Sequence, residues 1–261
     1  LGQMNILCPR CHAFHWKAER TSRSLFGSCC DSGKVDLPHL STPPRAIQGL
    51  FTATDPEATE FRDNITQYNS ALAFTSLGAD RIDNTVNRYG PRNWVFRIQG
   101  NLRHLSSALE PPPGRSPSYA QLYTYDPTIA LRQRMNRNPN VQESTMLSLQ
   151  NALRLFNPYT KIYEHAFEVL RRCHDIPNPS VRLRVMPGND PRRYNLPTSD
   201  EVGMILPGDA APHDSRDILL RKRVESSDPV LIRVSDRHAA YAPLHYVLLF
   251  PYGESGWHEG L

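Results

Sequence analysis

Lysine is scarce in this chain of 261 residues: Lys17, Lys34, Lys161 and Lys222 are the only four among 30 basic side chains, so arginine supplies nearly all of the positive charge. Long apolar runs are absent as well. None approaches the roughly 18 residues a membrane-spanning helix needs, and the mean hydropathy is −0.52, so no membrane association is expected. The opening Leu1-Gly2-Gln3-Met4 lacks the charged and apolar regions of a secretory signal. It also lacks an initiator Met, so the chain reads as a fragment of a longer protein. Catalytic motifs are missing too. The stretch Gly27 to Val35 resembles a phosphate loop but fails, because five residues separate Gly27 from Gly33 and Val35 stands where a Mg2+-binding hydroxyl belongs. No G-x-S-x-G is found. His12-Ala-Phe-His15 has the wrong spacing for the His-hydrophobic-His pair of a metal-dependent nickase, and the other histidines are scattered. Nothing here points to an enzyme acting on its own.

What is present is a cysteine pattern. Cys8-Pro-Arg-Cys11 is a C-x2-C pair, and Cys29-Cys30 follows seventeen residues later, with Gly33 just beyond. A C-x2-C turn aims two thiolates at one tetrahedral Zn2+, and a second Cys pair closes the site. The expected ligands are Cys8, Cys11, Cys29 and Cys30. Adjacent cysteines are a less usual ligand pair, so His12 or His15 stands as an alternative for the fourth position. Reduced free thiols or a disulfide are the competing reading. With no acid or base beside the turn, the metal is expected to staple the fold and not to catalyse. The fifth cysteine, Cys173, closes a helical apolar pattern and reads as a core thiol. An odd cysteine count, clustered this way, suits a reducing compartment.

Along the chain the pattern predicts an α+β protein in three parts: a zinc knuckle over 1–42, a helix-rich region over 43–176 and a strand-rich region over 177–261. Thr54-Asp55-Pro56-Glu57 is a helix start, and Phe61, Ile65, Tyr68 and Leu72 form one apolar stripe ending near Gly78. Residues 79–93 read as a loop, Trp94 to Ile98 as a strand ended by Gly100, and Gln121 to Tyr125 as a second strand. Asp126-Pro127 opens a short helix. Met146, Leu149, Leu153 and Phe156 mark another, and Asn157-Pro158 starts a third that carries Ile162, Ala166 and Leu170. Strands are expected at Val181 to Val185, Val202 to Leu206, Asp217 to Leu220 and Val230 to Val234, followed by the apolar Leu244 to Phe250.

The net charge is +4 and the isoelectric point near 8.8. Arginine favours bidentate contacts to phosphate and base edges. Arg97, Arg103, Arg182, Arg184, Arg192 and Arg193 lie in segments with nearby aromatics. That combination suits single strands, whose bases stack while Arg holds the backbone; the alternative is a solvated strand face.

Seven stretches, taken together, resemble the N-terminal region of the rolling-circle transposases of Helitron elements, the Rep–helicase proteins, especially those of fungi. They are Leu1-Gly-Gln-Met4 leading into Cys8-Pro-Arg-Cys11 and Trp16; Phe26 to Pro38; Phe61 to Gly78; Gly90-Pro with Val95 to Gly100; Tyr119 to Pro127; Arg193 to Val202; and Tyr241 to Glu254. They run in order along nearly the whole chain. The resemblance implies a zinc-finger-like DNA-binding module in a nuclear protein, preceding a nuclease and an ATP-dependent helicase domain whose catalytic residues have no positions here. Only the cysteine ligands carry over. A module that docks protein partners, exposing an apolar patch around Leu244 to Phe250, and an inactive transposon remnant are the other readings.

Overall fold

The computed structural model describes residues 2–21, 26, 29–35, 41–82, 98–172, 180–184, 202–206, 217–221 and 232–257. The chain divides into two compact units, residues 1–41 and 42–260. Taken over both units, the described residues mix six α-helices with small antiparallel sheets. The first unit contains a two-residue antiparallel hairpin, β1 (Ile6–Leu7) and β2 (Phe14–His15), with Ile6 opposite His15 and Leu7 opposite Phe14. Its buried core is small: Cys8, Phe26 and Cys30, with Ile6, Cys11 and Cys29 packed against them.

The second unit is built on helices. α1 (Arg45–Thr52) follows Pro43-Pro44 and buries Ile47 and Leu50. It is a helix the apolar spacing did not reveal. The stripe from Phe61 to Leu72 is one face but two helices, α2 (Pro56–Asp63) and α3 (Ile65–Leu72). Asn64 breaks them: its amide donates to the Glu60 carbonyl and carboxylate at 3.1 and 3.0 Å, competing with the backbone ladder. Asp55 caps α2 through the Ala58 N–H at 2.9 Å, and Asp126 caps α4 (Pro127–Arg137) through Thr128 N–H at 2.9 Å. α5 (Glu143–Phe156) and α6 (Pro158–Arg172) complete the helical layer, α6 starting with Asn157 accepting from Tyr159 N–H.

Two expectations fail here. Gly78 does not stop a helix; it sits inside β3 (Ser76–Ile82), which pairs antiparallel with β4 (Ile98–Ser106). A Cβ at Gly78 would fall 2.4 Å from Leu105 Cδ1, so the glycine makes room for a cross-strand leucine. β4 likewise runs through Gly100 instead of ending there. Gln121 to Tyr125 is no strand: Tyr119–Tyr123 forms a 3-10 helix, with Ala120 to Tyr123 all buried. Its register is fixed by packing, since Tyr123 stacks on Phe74 with centroids 4.4 Å apart.

β8 (Ile232–Arg233) joins β4 to give the order β3-β4-β8, and β5 (Ser180–Arg184) lies between β6 (Val202–Leu206) and β7 (Asp217–Arg221) in a separate antiparallel sheet. Of the proposed strand-rich part, residues 234–257 are turns and irregular structure, not strand; residues 177–179, 185–201, 207–216, 222–231 and 258–261, with Cys173 and the 79–93 loop beyond Ile82, lie outside the described residues. Leu244, Val247 and Leu248 are buried in the main core. They therefore do not form the apolar patch that the protein-docking reading expects, although Tyr246 and Leu249 remain exposed.

Several arginines serve this core directly. Arg62 donates to the carbonyls of Leu50 and Ala53 at the end of α1, at 3.1 and 2.7 Å. Arg134, almost fully buried, bonds the Ala71 carbonyl at 3.0 Å and the Gln150 amide oxygen, and lies 4.8 Å over the Tyr123 ring. Arg154 bridges Glu164 at 2.9 Å and the Tyr125 carbonyl at 2.9 Å. Part of the arginine excess is thus internal wiring and not surface charge.

Candidate metal centre

The two cysteine pairs converge in the first unit. The sulfurs of Cys8, Cys11, Cys29 and Cys30 all lie within 4.8 Å of one another. Cys8 and Cys30 are buried, each 2% exposed, and Cys11 and Cys29 are half-buried. None is bridged: the Cys8–Cys30 and Cys29–Cys30 sulfur separations are 4.0 and 3.8 Å, far beyond a disulfide bond. Those separations match the edge of a tetrahedron of sulfurs about 2.3 Å from a central zinc, which is about 3.8 Å. Four sulfur donors at such spacing fit Zn2+ among the divalent ions.

Local backbone geometry presents the sulfurs. In the first turn Cys8 N–H bonds Ala13 carbonyl at 2.9 Å and His12 N–H returns to the Cys8 carbonyl at 3.0 Å. His12 closes that turn at φ 57°, a left-handed conformation histidine tolerates better than branched residues. In the second, Gly33 N–H and Val35 N–H both bond the Cys30 carbonyl, at 2.9 and 3.1 Å. Asp31, Ser32 and Gly33 all take positive φ there. Gly33, at φ +89°, is the residue that permits closure, because a Cβ would meet Arg10 Cδ at 2.6 Å. The glycine lets the second cysteine turn seat against the first.

Electrostatics favour a cation among the sulfurs. Backbone N–H groups of Cys11, then Arg10, pull the Cys8 thiol down to about 6. Burial pushes Cys29 up to about 12 and raises Cys30 as well. Without a cation Cys8 ionises readily, while Cys29 and Cys30 resist ionising. A divalent metal would supply the charge that lets all four ionise.

The histidine alternatives do not join the cluster. His12 is exposed. His15 is buried, its Nδ1 3.0 Å from Glu19 Oε2, and its ring stacks on Phe26 at 4.0 Å. Phe26 in turn backs Cys8 and Cys30. His15 thus supports the site from behind, a role its spacing did not reveal; the signal available was only its alternation with exposed Phe14 across the hairpin.

Of the nucleic-acid residues named from sequence, three lie among the described residues, one in the β3-β4-β8 sheet and two together in the other. Arg103 is half-buried in β4, paired opposite Gly78. Arg182 and Arg184 lie on β5, the middle strand of the other sheet, in register with Leu219 and Asp217 of β7. Arg97, Arg192 and Arg193 lie outside the described residues. No family model matches the chain, and no curated protein matches it.

Proposed function

We propose that the chain is the DNA-binding N-terminal module of a Helitron-like transposase, stapled by a structural Zn2+ on Cys8, Cys11, Cys29 and Cys30. It would hold DNA, including single-stranded DNA, for nicking and unwinding by nuclease and helicase domains of the same protein family, in the nucleus. The observation that carries this reading is the convergence of four sulfurs at tetrahedral separations, two of them in the small buried cluster of the first unit's described residues. The sequence resemblance along the chain and the arginine-dominated charge supply the DNA side.

Two measurements test it. Elemental analysis of purified protein should find one zinc per chain, lost in Cys8→Ser. Anisotropy titration with labelled single-stranded and duplex oligonucleotides should show binding that weakens steeply as salt rises, as release of counterions from phosphates requires. A folded, zinc-loaded chain that binds neither probe at low salt would sink the DNA reading. A second reading, protein docking, draws on a groove of about 550 Å³ between Pro43, Pro44, Phe156 and Tyr252. Leu155 beside it is 70% exposed, and an apolar groove of this kind suits a protein partner.

A further inference from the structure

The first unit turns two of its large apolar side chains outward. Strand alternation sends Ile6 and His15 towards the core and leaves Leu7 and Phe14, a direct cross-strand pair, on the outer face. Phe14 is 59% exposed and Leu7 50%. Three described cations of this unit also lack a carboxylate partner among the described residues. Asp31 is paired with Lys34 at 3.1 Å. Glu19 is held by His15 and by the Trp16 N–H at 2.9 Å. Among the described residues, Arg10, Lys17 and Arg20 have no carboxylate partner, and all three are exposed.

We infer that the Leu7–Phe14 face of the cysteine hairpin is a base-stacking site for single-stranded DNA, with Arg10, Lys17 and Arg20 taking the flanking phosphates. The inference rests on the nucleic-acid reading above and assigns it a place. An exposed aromatic ring beside a leucine offers a platform to any base whose face is free, and duplex DNA hides those faces between neighbouring pairs. Phosphates bring the negative charge that the three unpaired cations lack. An apolar protein partner would leave those cations unmatched, which is why the charge selects a polyanion. The short hairpin, held by its cysteine turns, keeps the ring in place before any ligand arrives.

The test compares the full, zinc-loaded chain with its Phe14→Ala variant on a labelled single strand and on the matching duplex. Phe14→Ala should weaken single-strand binding by about tenfold or more, leave duplex binding unchanged and keep its zinc. Phe14→Tyr should restore the single-strand affinity. Unchanged single-strand affinity in Phe14→Ala overturns the inference while leaving the DNA reading intact, as does an equal loss on both probes. Wild-type protein that binds neither probe overturns both. Should Phe14→Ala lose its zinc, Phe14→Trp decides: quenching of its added fluorescence by the single strand supports stacking, and no quenching overturns it.

Discussion

The two units of this protein solve the same problem by opposite means. Residues 42–260 bury a continuous core, among the described residues, from Ile47 to Leu248, with Phe74 stacked between Tyr123 and Tyr163 at 4.4 and 5.1 Å. Among the described residues of 1–41, the buried cluster is Cys8, Phe26 and Cys30. Burial by those three alone is small against the chain entropy of ordering the segment. One unit is held by area removed from water; the other gathers four sulfur donors that could hold a metal ion. On the zinc reading proposed above, the first unit's stability would follow metal supply.

Metal removal should therefore separate the units most sharply. Zinc contributes roughly 10–16 kcal/mol of apparent folding free energy in zinc-finger peptides at neutral pH. Chelation or Cys30→Ser should abolish hydrogen-exchange protection across residues 2–35 and leave α2 to α6 protected. Retained protection in the metal-free first unit would show that the comparison is misdrawn.

Phe74→Ala is the reciprocal experiment. It removes a fully buried ring from the aromatic stack and should cost the second unit about 3–5 kcal/mol, read as a shift in its denaturation midpoint with the zinc content unchanged.

Acid should weaken the second unit by a smaller amount. His104 is buried against Tyr241 and His245, with centroids at 3.9 and 4.3 Å, and Tyr246 meets it edge-on. Burial, with some repulsion from His245, lowers it from 6.5 to about 4, and burial lowers His245 too. Both groups are neutral when folded, and the unfolded chain binds protons more readily. Their contribution is thus complete above pH 6.5 and is lost as pH falls towards 4. Allowing for solvent screening, the loss for His104 is on the order of 1–2 kcal/mol. His104→Asn should flatten the slope of stability against pH in that window; an unchanged slope would show that other groups carry it.

The smallest effect is local. Asp55→Ala removes the acceptor for Ala58 N–H and should cost about 1 kcal/mol, visible in thermal denaturation of the second unit alone.

Short-range chemistry was the readable part of the sequence. Asp55-Pro56, Asp126-Pro127 and Asn157-Pro158 open helices because a side-chain oxygen and a prefixed φ act within four residues. The C-x2-C turn is equally local, whereas its meeting with Cys29-Cys30 was legible because two cysteine pairs at that distance suit one zinc. Misreadings came where a distant residue decides. Gly78 punctuates a sequence but accommodates Leu105 in a sheet, and Gln121 to Tyr125 alternates like a strand but overlaps the 3-10 helix Tyr119–Tyr123, which seats Tyr123 on Phe74. His12 and His15 stayed open as ligands until the hairpin showed one exposed and the other stacked on Phe26. Likewise, no spacing rule distinguishes Arg134, buried against a carbonyl, from an arginine awaiting phosphate.

The return of the chain to its own middle carries a consequence for synthesis. Val234 N–H bonds the His104 carbonyl at 2.9 Å, Phe74 N–H bonds the Leu244 carbonyl at 2.8 Å, and Asn69 reaches the His245 carbonyl at 2.8 Å. Ribosomal output is vectorial, and pairings this distant form slowly. The cysteine unit leaves the ribosome before residues 42–260, so its four sulfurs can meet before the helical unit is made. The helical unit must wait, with Phe74 and its neighbours open to chaperones, until the segment from Val234 to Leu248 emerges to cap it.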